Sequence, residues 1–416
     1  MEICISSDIL GSDKHLVFDT DAQTYTTSLE PPVNSWFVGE PYPDCHDVNE
    51  LLSLAGKELQ LFPSGSATKY FQSIKELYPQ SWETSKIKWA KYMPKEFYLE
   101  WIKTLLDEVR SSLNPKWCDY YSNTFKCNSA LLDSLERGSV NVVKLNKYVE
   151  ETEHETLRAN LKSFTPCDDG YCKPVKYLRS SATGRLTVKS GPQILTLAKK
   201  HRDIMTSRYA GGSIVMIDYK CLEARIALSM TGQTDNLPED IYVYLSTKLF
   251  ADKLSRMTVK LITLSRMYGA TNGTISEKTG LVGAQLNESI ELIDEYFDIK
   301  NVTAKLISSM EDGYILNAFG RPLYVKDEHD HVIYNYYVQS TGVDIALAGF
   351  HSTVDTIHSK SVNINPLFVL HDAMFFDCDA GMDELLIEIS SNAGSKIDRF
   401  KNIRFYTSNE VISGNN

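Results

Sequence analysis

Two short apolar runs, far apart in the chain, each carry an aspartate where a buried strand has little reason to hold one. The first is GGSIVMIDYKCLEARIALSMTG, starting at Gly211, and the second is NPLFVLHDAMFFDC, from Asn365 to Cys378. Ile214 to Ile217 read as a strand that delivers Asp218 at its end. The four-residue spacing of Leu222, Ile226 and Met230 then starts a helix. The second run reads as a buried strand with His371 and Asp372 in its middle. If the two strands pair in one sheet, Asp218 and Asp372 meet, although about 150 residues separate them. Two buried carboxylates repel, and each resists ionisation. A divalent cation removes that penalty, and hard Mg²⁺ takes carboxylate oxygens while keeping room for phosphate oxygens. Two such ions, about 4 Å apart, activate an attacking oxygen and stabilise a leaving one. Taken singly, each aspartate is equally compatible with a structural role.

The rest of the chain bounds the possibilities. Its 416 residues, 43% of them hydrophobic, suffice for roughly two to four subdomains. A net charge of −11 excludes a globally basic DNA-coating protein, although partners respond to local fields. The eight cysteines include no C-x-x-C pair, and Cys167 and Cys172 have no second pair at ligand spacing, which argues against a zinc ribbon. The N-terminus lacks the basic-then-apolar order of a signal peptide. No apolar stretch approaches the roughly 20 residues of a membrane span. The expectation is a soluble intracellular protein with reduced thiols.

Residues 1–65 look like short strands and loops around the turn-rich SLEPPVNSWFVGEPYPDC. Residues 66–165 look mainly helical. PKEFYLEWIKTLLDEVRSSL shows helical apolar spacing after a proline, and KLNKYVEETEHETLRANLKSF reads as one more polar helix ended by Pro166. Residues 236–312 are helical again. GRPLYV reads as a short strand, NYYVQSTGVDIALAGFHSTVDTIHS as a long helix, MDELLIEISSNAGSKI as a last helix and IRFYTSN as a terminal strand.

Two further segments suit a nucleic-acid substrate. In RMTVKLITLSRMYGATNG, residues Arg256, Lys260, Leu264 and Tyr268 recur every four positions. They drift only about 40° per step, so they form one helical stripe. The stripe offers two cations, then an apolar residue, then an aromatic ring, which fits a triphosphate, a sugar and a base. From Lys173 to Arg208 there are nine Lys/Arg and one acid, Asp203. Such a local excess can hold several backbone phosphates. Within it, Gly184 and Arg185 suit close approach to a sugar-phosphate backbone. Each segment alone also fits an ordinary solvated surface.

Taken in order, these pieces resemble the polymerase I-like, family A DNA polymerases. TGRL at Thr183–Leu186 is similar to the family's primer-template motif, DYKCLEAR at Asp218–Arg225 to motif A, RMTVKLITLSRMYG at Arg256–Gly269 to motif B, and VLHDA at Val369–Ala373 to motif C. AFGRPLYV and NYYVQSTGVDIA resemble the strand and helix between motifs B and C. The resemblance covers residues 164–416 and implies an α+β right-hand polymerase. It would have an antiparallel palm sheet (171–235 and 325–416), helical fingers (236–324) and a helical thumb (66–170) after a short N-terminal segment (1–65).

Carried over residue by residue, the resemblance implies that Asp218 and Asp372, with the Tyr219 carbonyl, bind two Mg²⁺ ions, for which Mn²⁺ could substitute. Arg256 and Lys260 would bind the triphosphate, with Lys260 protonating the leaving pyrophosphate. Glu223 would lie under the sugar and exclude a 2′-hydroxyl, and Tyr268 would stack near the templating pair. Thr183, Arg185, Arg321, Asn335, Gln339 and His371 would follow the primer-template, whose minor-groove acceptors report pair shape rather than sequence. Closure of the fingers would assemble the site only around a fitting pair. The partners implied are primer-template DNA, dNTPs and a separate exonuclease or processivity subunit, in the cytoplasm of a bacterial or phage-infected cell, with no membrane.

The departures from the family pattern are specific. Motif C ends in Ala373 where the family has Glu. Asp377 lies at an odd offset from Asp372 and would face the other way on a regular strand. Leu264 replaces an aromatic residue, Tyr242 stands where a His is usual, and His331 where an Arg is common. FDTDAQT at Phe18–Thr24 only faintly resembles an exonuclease motif and reads as a strand and turn. About 65 residues before the thumb are too few for a proofreading fold, so no proofreading is expected. Two alternatives stand beside the polymerase: a catalytically reduced primer-template scaffold, motivated by Ala373 and Leu264, and a single-subunit RNA polymerase, against which Glu223 speaks.

Overall fold

A computed structural model describes residues 1–59, 68–77, 87–179, 181–234, 237–400 and 402–414. The chain divides into two compact units, Met1–Asp119 and Tyr120–Asn416. The division falls inside the segment 66–170 expected as one helical thumb, of which residues 66, 67 and 78–86 lie outside the described residues.

The first unit is more ordered than its turn-rich sequence implies. Strands Glu2–Ile5, His15–Asp19, Thr24–Ser28, Trp36–Val38 and His46–Asp47 form one five-stranded sheet. The Glu2–Ile5 strand is central, antiparallel to His15–Asp19 and parallel to Trp36–Val38. FDTDAQT is the strand and turn that its composition indicated, with the Asp19 carboxylate accepting the N–H groups of Asp21 and Ala22. The helix Lys95–Ser112 begins directly after Pro94 and buries Trp101, Ile102, Leu105, Leu106 and Val109 on one face. That face repeats at the three- and four-residue spacing of an amphipathic helix.

The second unit is organised around a four-stranded antiparallel sheet in the order Ile364–Leu370, Ala373–Cys378, Ser213–Tyr219, Thr407–Gly414. Both faces are covered, which explains the near-continuous apolar runs. Ile214, Met216, Ala373 and Phe375 share a core with Ile194, Leu197, Ile204 and Met205 from the basic lead-in. On the opposite face Tyr219 packs its ring 5.4 Å from Phe350 of the 31-residue helix Asp330–Lys360. The helices Ile241–Phe250, Arg256–Met267, Asn272–Thr279, Gly283–Tyr296 and Ile299–Ser308 follow, and then a hairpin pairs Tyr314–Leu316 with Pro322–Tyr324.

Three expected elements differ, the first being the terminal strand, which runs Thr407–Gly414 rather than over 403–409. The segment 144–164 is two helices, Val142–Glu151 and Glu155–Lys162. Arg158 explains the break, because its guanidinium takes the carbonyls of Val149 and Thr152 that an unbroken helix would use itself. The stretch Asn365–Cys378 is not one strand. His371 has φ 57°, and the chain reverses there, so His371 and Asp372 are the two-residue turn of a tight hairpin.

Candidate polymerase active site

The hairpin turn is what brings the carboxylates together. Asp218 lies opposite Ala373 in the sheet, and the Tyr219 N–H donates to the Asp372 carbonyl at 3.0 Å. The acidic residues therefore stand on adjoining strands at the same end of the sheet. Withdrawal from water, reinforced by the charge of Asp372, pushes the Asp218 carboxyl up to about 7. Burial also raises Asp372, against the opposing pull of His371, Arg185 and Lys260. An oxygen-only donor set of two mutually repelling carboxylates fits Mg²⁺ better than a softer metal. Among the described residues no third His, Cys, Asp or Glu joins them in a ready-made metal cluster.

A short helix Leu222–Met230 starts just beyond Asp218, after Cys221 adopts the left-handed conformation at φ 52°. It presents Glu223, whose Oε1 accepts from the Tyr268 phenol and, at 3.2 Å, from Arg185 Nη2. Burial raises the Glu223 carboxyl, and those two donors pull it back down. Arg185, Glu223, Tyr268, Gln339, His371 and Asp372 line one cavity of about 220 Å³. Six residues named from five separate motifs thus converge.

The helix Arg256–Met267 carries the cation stripe. The charge of Lys260 lowers Asp218, Asp372 and Glu223 alike. Arg256 is engaged differently, with its Nε 2.6 Å from Asp240, the residue that caps the helix Ile241–Phe250. Leu264 is half-buried on the same helix, and Tyr268 closes it. Gly269 has φ 70°, and a Cβ there would lie 2.1 Å from the His331 ring, so only glycine lets His331 pack against this turn.

Burial bears on three residues expected at the DNA or nucleotide, Arg321, Thr183 and Tyr242 (whose phenol would donate to a phosphate), and strand register corrects the expected orientation of Asp377. Arg321 is 2% exposed and ion-paired with Asp344, so it cannot reach DNA. Thr183 is 6% exposed, with no open face for a phosphate. Tyr242 is 3% exposed and lies under the Arg256 guanidinium, 5.7 Å from it, so its phenol does not reach toward phosphates. Asp377 is on the same face as Asp218, because it pairs with Ile214, four residues down the strand. Distance, about 13 Å along the strand, removes it rather than orientation, and it is spent on Ser207 and Arg208. Asn335 is half-buried, with its Oδ1 lacking a hydrogen-bond partner.

Two residues near the site were not singled out by sequence. Arg202, within the basic lead-in, places Nη1 3.4 Å from Met216 Sδ, while its Nε is buried without a hydrogen-bond partner. Its charge reaches both Asp218 and His371. Glu410 lies opposite Met216 on the last strand, on the Asp218 face, and its charge raises Asp218. The cation excess flagged the segment holding Arg202, but only the strand register reveals Glu410.

Comparison with known proteins agrees with this geometry. The family model for DNA polymerase family A matches residues 69–399. A DNA polymerase of Mycobacterium phage D29 is 25% identical over 147 residues, 32% of this chain. The match spans 24% of that relative's length. The POL domain of Pol1 from M. smegmatis, solved in complex with DNA primer-template and dNTP, has a TM-score of 0.66 at 12% identity. That likeness covers 98% of this chain and 94% of the other, and it shows a shared fold. With a matching profile over most of its length and the motif residues gathered at one end of one sheet, the chain belongs to DNA polymerase family A.

Proposed function

We propose that this chain is a template-directed DNA polymerase that adds dNTPs to a primer 3′ end. The observation that carries the reading is the meeting of Asp218 and Asp372 at adjoining strand ends, beside Lys260 and the cavity lined by Arg185, Glu223 and Tyr268. Asp218, Asp372 and the Tyr219 carbonyl would hold Mg²⁺, which when bound activates the attacking oxygen and stabilises the leaving one. Lys260, whose charge acts on both acids, would donate a proton to departing pyrophosphate. Arg256 turns to the triphosphate by exchanging Asp240 for phosphate oxygens. Glu223 sits where its bulk and charge oppose a 2′-hydroxyl, and Arg185, Gln339 and His371 face the primer-template.

The chain does this without proofreading. The one stretch with an exonuclease-like pattern uses its Asp19 carboxylate to fold a turn. A mismatch-excision assay showing robust 3′→5′ activity would overturn that part alone.

Primer extension tests the reading. Wild type with dNTPs and Mg²⁺ should extend a primed template, and Asp218→Asn and Asp372→Asn should each lose at least about 10³-fold, a transition-state deficit near 4 kcal/mol. Equal product from wild type and Asp372→Asn would leave a primer-template scaffold as the better account. Equal use of rNTPs and dNTPs would favour an RNA polymerase.

A further inference from the structure

Arg321 does not touch DNA in this fold, yet its surroundings are built with unusual care. Asp344, 0% exposed within the helix Asp330–Lys360, accepts four side-chain donors. They are Tyr120 Oη at 2.9 Å, Asn128 Nδ2 at 3.2 Å, Asn317 Nδ2 at 2.7 Å and Arg321 Nε at 3.4 Å. The Asn317 Oδ1 accepts the backbone N–H groups of Phe319 and Arg321, which folds the turn that directs the arginine inward. The Tyr120 ring lies 5.2 Å from the guanidinium. Asp344 is saturated, whereas Arg321 Nη2 is buried with no hydrogen-bond partner.

What covers that guanidinium is Gly184. A Cβ at Gly184 would lie 2.3 Å from Nη1, 2.4 Å from Cζ and 2.6 Å from Nη2, so the glycine backbone rests on the flat face of the group. Gly184 has φ 74°, its N–H bonds to the Ser181 carbonyl at 2.8 Å, and the Ser181 hydroxyl bonds to the Arg185 carbonyl at 2.9 Å. The turn is therefore stiff within itself and seated on Arg321. Arg185 leaves that turn toward Glu223. A buried ion pair is a poor source of stability, and what fixes this one is Asp344, whose two oxygens are both filled, although Asn128 Oδ1 is left without a partner.

We propose that Arg321 and Asp344 are positioning residues that act through Arg185. The buried pair sets the height of the Thr183–Arg185 turn and so aims Arg185 at the primer-template. This rests on the polymerase reading of the cavity. Glu223 and Tyr268 then receive Arg185 from a fixed base, linking the buried cluster to the nucleotide site without any contact between Arg321 and DNA.

The test uses the full chain and a fluorescent primer-template, with Kd measured at several salt concentrations. Arg185→Ala should weaken binding about tenfold and reduce the slope of log K against log salt by about 1, the share of one phosphate contact. Gly184→Ala keeps every charge but forces the turn off the guanidinium. It should produce the same loss and the same change in slope, and Gly184→Ala/Arg185→Ala should lose no more than either alone. Arg321→Lys, which keeps the charge and removes the flat face, should behave like Gly184→Ala. Should Gly184→Ala fold poorly, Arg321→Lys carries the same test. Additive losses in the double variant, or an Arg321→Lys chain with unchanged binding and slope, overturn the proposal. Wild type that binds primer-template but never extends it overturns the polymerase reading alone, because the seating of the Thr183–Arg185 turn on Arg321 is read from binding.

Discussion

At the scale of single residues, the decisive fact is a carboxyl held far from its ordinary value. Asp218 is pushed up to about 7, whereas in the unfolded chain it titrates near 3.8. A raised carboxyl contributes stability that is fully present below the unfolded value and is lost as pH rises toward the folded one. In chelator, the wild-type chain should therefore lose stability between about pH 4 and pH 7. Asp218→Asn should not lose that share, so the gap in Tm should widen through this window and level off above it. Added Mg²⁺ should raise the wild-type Tm more at pH 8 than at pH 5. A thermal-melt series in which Asp218→Asn tracks wild type throughout would show that the carboxyl is not under this strain. Glu223 gives a second residue-level outcome: Glu223→Ala should lower the preference for dNTPs over rNTPs in single-nucleotide extension. The sequence pointed to Asp218 through a strand end and to Lys260 and Tyr268 through one helical stripe, whereas Asp372 read as mid-strand and stands in a turn. Arg321 and Tyr242 were not legible, because motif position says nothing of burial. Each is covered by a neighbour remote in sequence, Gly184 and Arg256 respectively.

At the scale of elements, strand and helix existence followed from periodicity, and the errors fell where a side chain outside the pattern intervened. Arg158 divides a run that spacing alone makes one helix. The turn at His371 divides a run that apolarity alone makes one strand. Asp240 shows how an element and the site share a residue, since it caps the helix Ile241–Phe250 through the N–H groups of Tyr242 and Val243 and also holds Arg256. Asp240→Ala should cost about 1 kcal/mol in urea unfolding through loss of the cap. Asp240→Asn should keep most of that stability while freeing Arg256 from its charged partner, so the KM for dNTP should change in both variants. A stability loss as large in Asp240→Asn as in Asp240→Ala would mean that the ion pair, not the cap, matters.

At the scale of the whole molecule, an acidic chain is proposed to grip an acidic polymer. The charge of −11 is no obstacle, because nine cations are concentrated in residues 173–208. Four of these are engaged inside the protein: Arg179 on Phe125 and Ser129, Lys199 on Glu410, Arg202 beside Met216 and Arg208 on Glu136 and Asp377. Of the remaining five, Lys173, Lys176, Lys189 and Lys200 are free to displace counterions from DNA, and Arg185 joins them by exchanging Glu223 for phosphate. Primer-template binding should then show a log K against log salt slope of roughly −4 to −5. A slope near zero would remove this segment from the DNA path. The two-unit division was not visible in composition, because the boundary at Asp119 falls within a helical stretch rather than in a linker rich in Pro or Gly.

The hairpin turn at His371–Asp372 also sets what evolution could vary. The Ala373–Cys378 arm pairs rung by rung with Ser213–Asp218, so one inserted or deleted residue there would shift the acid out of register, whereas the Ile364–Leu370 arm already absorbs an extra residue in a bulge at Leu367. A change of identity carries no such consequence, and alanine at 373 still fills its rung. On the Ala373–Cys378 arm, then, a change of side chain at 373 is tolerable, whereas a change of length moves Asp372 away from Asp218.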